Sequence, residues 1–170
     1  MKHLRTGILS VVLLLTTTSY AQEAEADKEA QEAISKLAFI VGNWSGNGWI
    51  MGRDGKRHTF NQTENISFKL DKTAVLIEGL GKDKEKIVHN AMAVVTFNKA
   101  DKTYNFRSYL SSGREGVYKA ELIGEKFYWY PMENMRYIIY LNDKGQWHEI
   151  GEMKREKEWF KFFEMTLDKE

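Results

Sequence analysis

The chain has 170 residues, 42% hydrophobic and 13% aromatic, enough to bury one core of ordinary domain size. Its 25 Lys+Arg nearly balance 24 Asp+Glu, which excludes the strongly basic face a general nucleic-acid binder needs. It has no cysteine, which excludes disulfides, thiol nucleophiles, thiolate metal sites and a cysteine-borne lipid anchor.

Lys2 and Arg5 precede the apolar run "GILSVVLLL" and the small residues of "TTTSYA". That is the pattern of a secretory signal over residues 1–21, with Ser19 and Ala21 at the small cleavage positions and a mature chain starting at Gln22. The run is shorter than the about 20 residues that span a bilayer. The expectation is an exported protein, periplasmic or secreted, with no membrane span or lipid anchor. The leader carries two basic residues and no acid, so the remainder is close to neutral.

Residues 22–36 are rich in Ala, Glu, Gln and Lys, all good helix formers, and are expected to be partly helical. Ile34, Leu37, Ala38 and Val41 fall at helical spacing and predict a short amphipathic helix that stops at Gly42.

From Trp44 the apolar period changes to two. "WSGNGWIM", "HTFNQTENISFKL", "AVLIEGL", "HNAMAVVTF", "TYNFRSYL", "GVYKAELI", "KFYWY", "MRYIIYL", "QWHEIGEM" and "WFKFFEMTL" alternate with turn-rich pieces such as "GRDGK", "NKADK" and "NDKG". Evenly spaced strands with Gly, Asp, Asn and Lys between them predict an antiparallel meander. No connection holds a crossover helix, so parallel pairing is not expected. About ten strands in one small domain leave exposed edges unless the sheet closes, so residues 37–170 are expected to form an all-β, closed or nearly closed up-and-down barrel capped by the short helix. The sequons at Asn43, Asn61 and Asn65 are read as chance.

In "FIVGNWSGNGWIM", Gly42 ends the helix, and Trp44, Gly46, Gly48 and Ile50 share one face of the first strand. Glycine in a strand marks a bend or a close approach. The expectation is a Trp44 that plugs one end of the barrel, with Gly46 and Gly48 curving the strand and leaving space above it. A phosphate loop is excluded by context: no Gly-Lys-Ser/Thr follows, and the next element is a strand.

A short helix followed by Gly42-Asn43-Trp44 at the start of a meander resembles the calycin superfamily: lipocalins, fatty-acid-binding proteins and nitrobindin. The ordered segments "FIVGNWSGNGW", "FKLDKTAVLIEGLGKD", "YNFRSYLSSGREGVYKAEL" and "GQWHEIGEM…WFKFFEMTL" resemble more closely a group of secreted bacterial proteins with a lipocalin-like barrel. That resemblance implies the fold and implies no particular activity. Nitrobindin-like barrels hold haem through a histidine on the last strand. The matching stretch "KFFEMTLDKE" has none, so no cofactor is expected, and haem stands as a minor alternative.

Phe60, Gln62, Glu64, Ile66 and Phe68 alternate on one strand face, which is expected to point inward because it carries the large apolar groups. The face of Leu76 and Leu80 likewise carries Glu78 inward. Buried carboxylates need partners, and Arg107 is the first candidate and Arg136 the second. Glu64, Glu78 and Arg107 would form a polar floor that recognises a ligand's head group, or an internal salt-bridge network that holds register. Gln62, Arg136 and His148 complete the candidate ligand-binding set. His58, His89 and His148 are far apart in sequence and form no local metal motif, which leaves metal binding with Glu64 or Glu78 as another minor alternative. Ser108, Ser111 and Ser112 sit in ordinary turn chemistry, with no base marked for them, so no catalytic residue is expected.

The leading expectation is non-catalytic binding of a small, partly apolar molecule inside the barrel. Its competitor is an envelope interaction module with a filled barrel, and interior volume separates the two. The aromatics of the second half are expected mostly in the core, with some outside as a homodimer surface.

Overall fold

In the computed structural model, which describes residues 25–170, Asp27 caps a helix, α1 (Lys28–Ser35), by accepting a hydrogen bond from the Ala30 N–H at 3.1 Å. The expected signal at residues 1–21 lies outside the described residues. The helix does not run to Gly42. It ends at Ser35, and a 3-10 turn follows at Ala38–Ile40. Side-chain placement explains the change. Ile34, Leu37 and Ile40 are three apart, and the tighter turn sends all three, fully buried, into one end of the barrel. Ala38, expected on the buried face, stays exposed. Tyr104 anchors α1 by donating its hydroxyl hydrogen to the Ala33 carbonyl at 2.9 Å.

Ten strands follow: β1 (Gly42–Met51), β2 (Arg57–Lys69), β3 (Ala74–Asp83), β4 (Lys86–Asn98), β5 (Thr103–Leu110), β6 (Glu115–Ile123), β7 (Lys126–Met132), β8 (Met135–Leu141), β9 (Trp147–Arg155) and β10 (Glu158–Lys169). Each pairs antiparallel with the next, and β1 also pairs with β10, so the sheet closes as the alternation and short turns predict. Pro131 falls where β7 and β8 lose register, between Trp129 and Met132, so its missing N–H interrupts no regular ladder. No helix of the described residues is long and apolar enough to cross a membrane.

Trp44 fills the end under α1. It is 1% exposed, donates its indole N–H to the Ile40 carbonyl at 2.9 Å, and meets Trp147 edge-on at 6.0 Å. Phe127, Leu167, Val75 and Val95 complete that solid half of the core. Gly42 opens β1 with φ of +140°, a conformation that favours glycine. The space expected above Gly46 and Gly48 is absent. A Cβ at Gly46 would run into the Thr166 carbonyl and Leu167, and one at Gly48 would lie 2.5 Å from the Phe60 ring. These glycines let β10 and Phe60 close down on β1, and the open volume lies elsewhere.

Candidate functional site

At the end away from α1 the barrel encloses a cavity of about 250 Å³. Most of its wall is apolar. Phe60 stacks on Phe163 with ring centres 5.8 Å apart, and Trp129 is sandwiched between Phe106 at 4.5 Å and Tyr137 at 4.4 Å. Ile50, Val88 and Met92 also line it and are exposed, which marks the mouth. Room inside comes from small residues on two adjacent strands: Gly79 on β3 and Ala91 and Ala93 on β4.

Three buried polar side chains belong to the same space: Gln62, Glu64 and Glu149. Gln62 and Glu64 lie two apart on the inward face of β2, and the Gln62 amide donates to Glu64 Oε1 at 2.7 Å. The other carboxyl oxygen, Glu64 Oε2, is buried with no partner. Burial pushes the Glu64 pKa up to about 7, while the Gln62 donor pulls the other way. Glu149 enters from β9. Burial first, and then the Glu64 charge, push its pKa up to about 8. The indole N–H groups of Trp147 and Trp129 lie near enough to lower it somewhat, yet neither completes a hydrogen bond. Burial and the Glu149 charge also raise the pKa of Tyr137, so its phenol stays protonated. At the mouth His89 is exposed on the solvent side, while its partial desolvation lowers its pKa.

Glycines make the carboxyl positions available. A Cβ on Gly79 would stand 2.7 Å from Glu64 Oε1, and one on Gly81 would stand 2.6 Å from Gln62 Oε1. The two polar side chains therefore lie flat across β3, over a strip with no side chains of its own.

No known protein family matches this chain, and no curated protein is similar to it in sequence. Its likeness is one of shape. The crystal structure of Rv2717c from M. tuberculosis superposes with a TM-score of 0.59 at 10% identity, over 81% of this chain and 97% of that one. The S-type phycobiliprotein lyase CPES from Guillardia theta superposes with a TM-score of 0.57 at 9% identity, over 84% of this chain and 95% of that one. The chain shares a barrel fold with both, and that fold is compatible with the lipocalin-like, calycin-type barrel expected from the sequence.

Of the predicted site residues, Gln62 and Glu64 reach the interior together. Glu78 does not. The inward face of β3 is Val75, Ile77, Gly79 and Gly81, so Glu78 is exposed, and Leu76 and Leu80 lie on the outer wall with it. Arg107 also points outward, because Tyr104 and Phe106 take the inward positions of β5; it donates to Thr96 Oγ1 at 2.9 Å. Arg136 lies outside, paired with Glu152 at 2.7 Å and stacked over Trp159 at 4.0 Å. His148 is on the outer face of β9, with Nδ1 2.9 Å from Thr166 Oγ1 and Nε2 3.3 Å from Glu164. The expected floor of Glu64, Glu78 and Arg107 is thus replaced by Glu64, Gln62 and Glu149. Glu149 carries a signal in "WHEIG": counting by two from the buried Trp147 places it inside and His148 outside.

The histidines are dispersed. His58 pairs with Asp54 in a turn, His89 is at the mouth, and His148 is on the outer wall. Among the described residues no group of three or more His, Asp or Glu is placed to hold a metal ion. The inward residues of the last strand include Phe163, Met165 and Leu167, which offer no histidine to a haem. The outer-wall aromatics Trp49 and Trp159 are covered by Arg57, 3.9 Å away, and by Arg136.

Proposed function

We propose that this chain is an exported, non-catalytic binding protein that holds one small, partly apolar molecule in the barrel. The observation that carries the reading is the cavity of about 250 Å³, walled by stacked aromatics and served by a few buried polar groups. That combination is the usual make-up of a small-molecule site, and the volume lies just below the ~300 Å³ where drug-sized pockets begin. It fits a compact ligand. A filled barrel, the competing expectation, describes only the half under α1, where Trp44 and Trp147 meet. A phycobiliprotein lyase with this architecture gives a precedent for a working site on the scaffold, while function itself is argued here from the cavity.

Native mass spectrometry of the protein purified from its own host tests the reading. The expected result is a mass excess that disappears on denaturation. A bare polypeptide mass, together with no uptake of an apolar fluorescent dye, would overturn it. N-terminal sequencing of the same sample should begin at Gln22, and an intact Met1 would remove the export reading.

A further inference from the structure

The cavity carries acids and no base of fixed charge. Among the described residues neither lysine nor arginine lines it. Its titratable groups are Glu64 from β2, Glu149 from β9, Tyr137 from β8 and His89 from β4. Tyr137 stays neutral, and the lowered pKa of His89 keeps that ring largely uncharged at neutral pH. The arginines that would have paired with the acids, Arg107 and Arg136, are engaged on the outer wall.

Three of the remaining donors lie near the two acids. Gln62 donates to one oxygen of Glu64, and Trp129 and Trp147 bring their indole N–H groups near Glu149. Donors aimed at a carboxyl group favour its ionised form. The chain thus brings donors to two carboxyls that burial holds toward the protonated form, leaves Glu64 Oε2 without a partner, and supplies no counter-charge. Either acid, once ionised in that setting, needs a cation beside it. Around them stand the faces of Trp129, Tyr137, Phe60 and Phe163, and aromatic faces attract cations.

We propose that the ligand of this cavity is a compact organic cation, a protonated or quaternary amine on a small apolar body, with its charged nitrogen held by Glu64 and Glu149 and its body against the stacked aromatics. The proposal rests on the reading of the cavity as a binding site and adds the ligand's charge. When the cation enters, a carboxyl proton leaves to solvent, so the net charge of the site is conserved. Among the described residues no third His, Asp or Glu joins the two acids as a metal cluster would require.

The test compares phenethylamine, 2-phenylethanol and phenylacetate on the full chain, read by tryptophan fluorescence. The amine should bind at least about tenfold tighter than the alcohol, a difference of roughly 1.4 kcal/mol, with the carboxylate weakest. Benzyltrimethylammonium keeps its charge at every pH, so its affinity reports on the protein alone. That affinity should rise from about pH 5 to about pH 9 as the two acids ionise. Glu64→Gln and Glu149→Gln should each lower amine affinity about tenfold and alcohol affinity by clearly less, which narrows the gap between the two compounds. If a Gln variant fails to fold, the pH series on the unaltered protein still decides. An alcohol that binds as tightly as the amine, or a quaternary ammonium whose affinity is flat with pH, overturns the cation and leaves the binding site standing. Failure of all four compounds and of an apolar dye removes both.

Discussion

Glu64 is held by one amide among apolar neighbours, so the folded chain keeps a proton that the unfolded chain releases. A carboxyl raised from 4.5 to about 7 gives the fold stability that is fully present below about pH 4.5 and is lost as pH rises through about 7. The shift corresponds to a loss on the order of 3 kcal/mol. Glu149 acts in the same direction up to about pH 8. His89 and His148 act in the opposite direction, since burial lowers their pKa values and their contribution fades as pH falls. Denaturant melts between about pH 5 and about pH 9 should therefore show stability falling, and Glu64→Gln should flatten the profile. A profile untouched by that substitution would put the carboxyl in water. Trp44→Ala should cost about 3–5 kcal/mol, because it empties the fully packed end under α1. A measured loss below about 1 kcal/mol would mean that the indole is not buried.

Strand β3 supports the acids by what it lacks. Gly79→Ala would put a methyl 2.7 Å from Glu64 Oε1, a flexible carboxyl end that can give way. The expected cost is modest, about 1–3 kcal/mol, with a clear loss of ligand affinity by titration. On the outer wall the result reverses. Arg136→Ala removes the Glu152 pair and the Trp159 stack and should cost about 1–3 kcal/mol while leaving ligand affinity unchanged. A fall in affinity there would show coupling through the wall. The strands also differ in how plainly the sequence reveals their faces. On β2 the apolar residues Phe60, Ile66 and Phe68 alternate with Asn, Thr and Ser, and the inward face is legible, Glu64 included. On β3, Ala74 to Ile77 is apolar on both faces. Size misleads there, because the larger Leu76 and Leu80 pack outside while glycines sit inside beneath Glu64. On β9 each face carries an apolar and an acidic residue, and pairing with β10, where Glu149 meets Met165, selects between them. Local alternation was therefore enough for the barrel and for Gln62 and Glu64 of its polar interior. The period of two in "WHEIG" ties Glu149 to Trp147, and which of the two faces turns inward is settled only by pairing with β10.

The whole molecule divides into a solid end under α1 and a hollow end at the mouth. Tyr104 joins the cap to the barrel through the Ala33 carbonyl, and Tyr104→Phe should loosen it by about 0.5–1.5 kcal/mol, read as faster amide exchange in α1. Unchanged exchange would show that burial of Ile34 and Leu37 alone holds the helix. The seam that closes the sheet has a consequence for time. It pairs Trp44 with Lys169 and Gly48 with Met165, so the first strand must wait for the last. Contacts this distant along the chain are slow to form, since the intervening loop must lose its entropy before the seam gains anything. Until β10 arrives, β1 and β9 each keep an unpaired edge, and Gly46 and Gly48 have only β2 beside them. Refolding should accordingly show hairpin structure early and the Trp44–Trp147 contact only in the last, slowest phase. The same seam makes opening slow, because no strand can peel away without breaking a ladder on both of its sides.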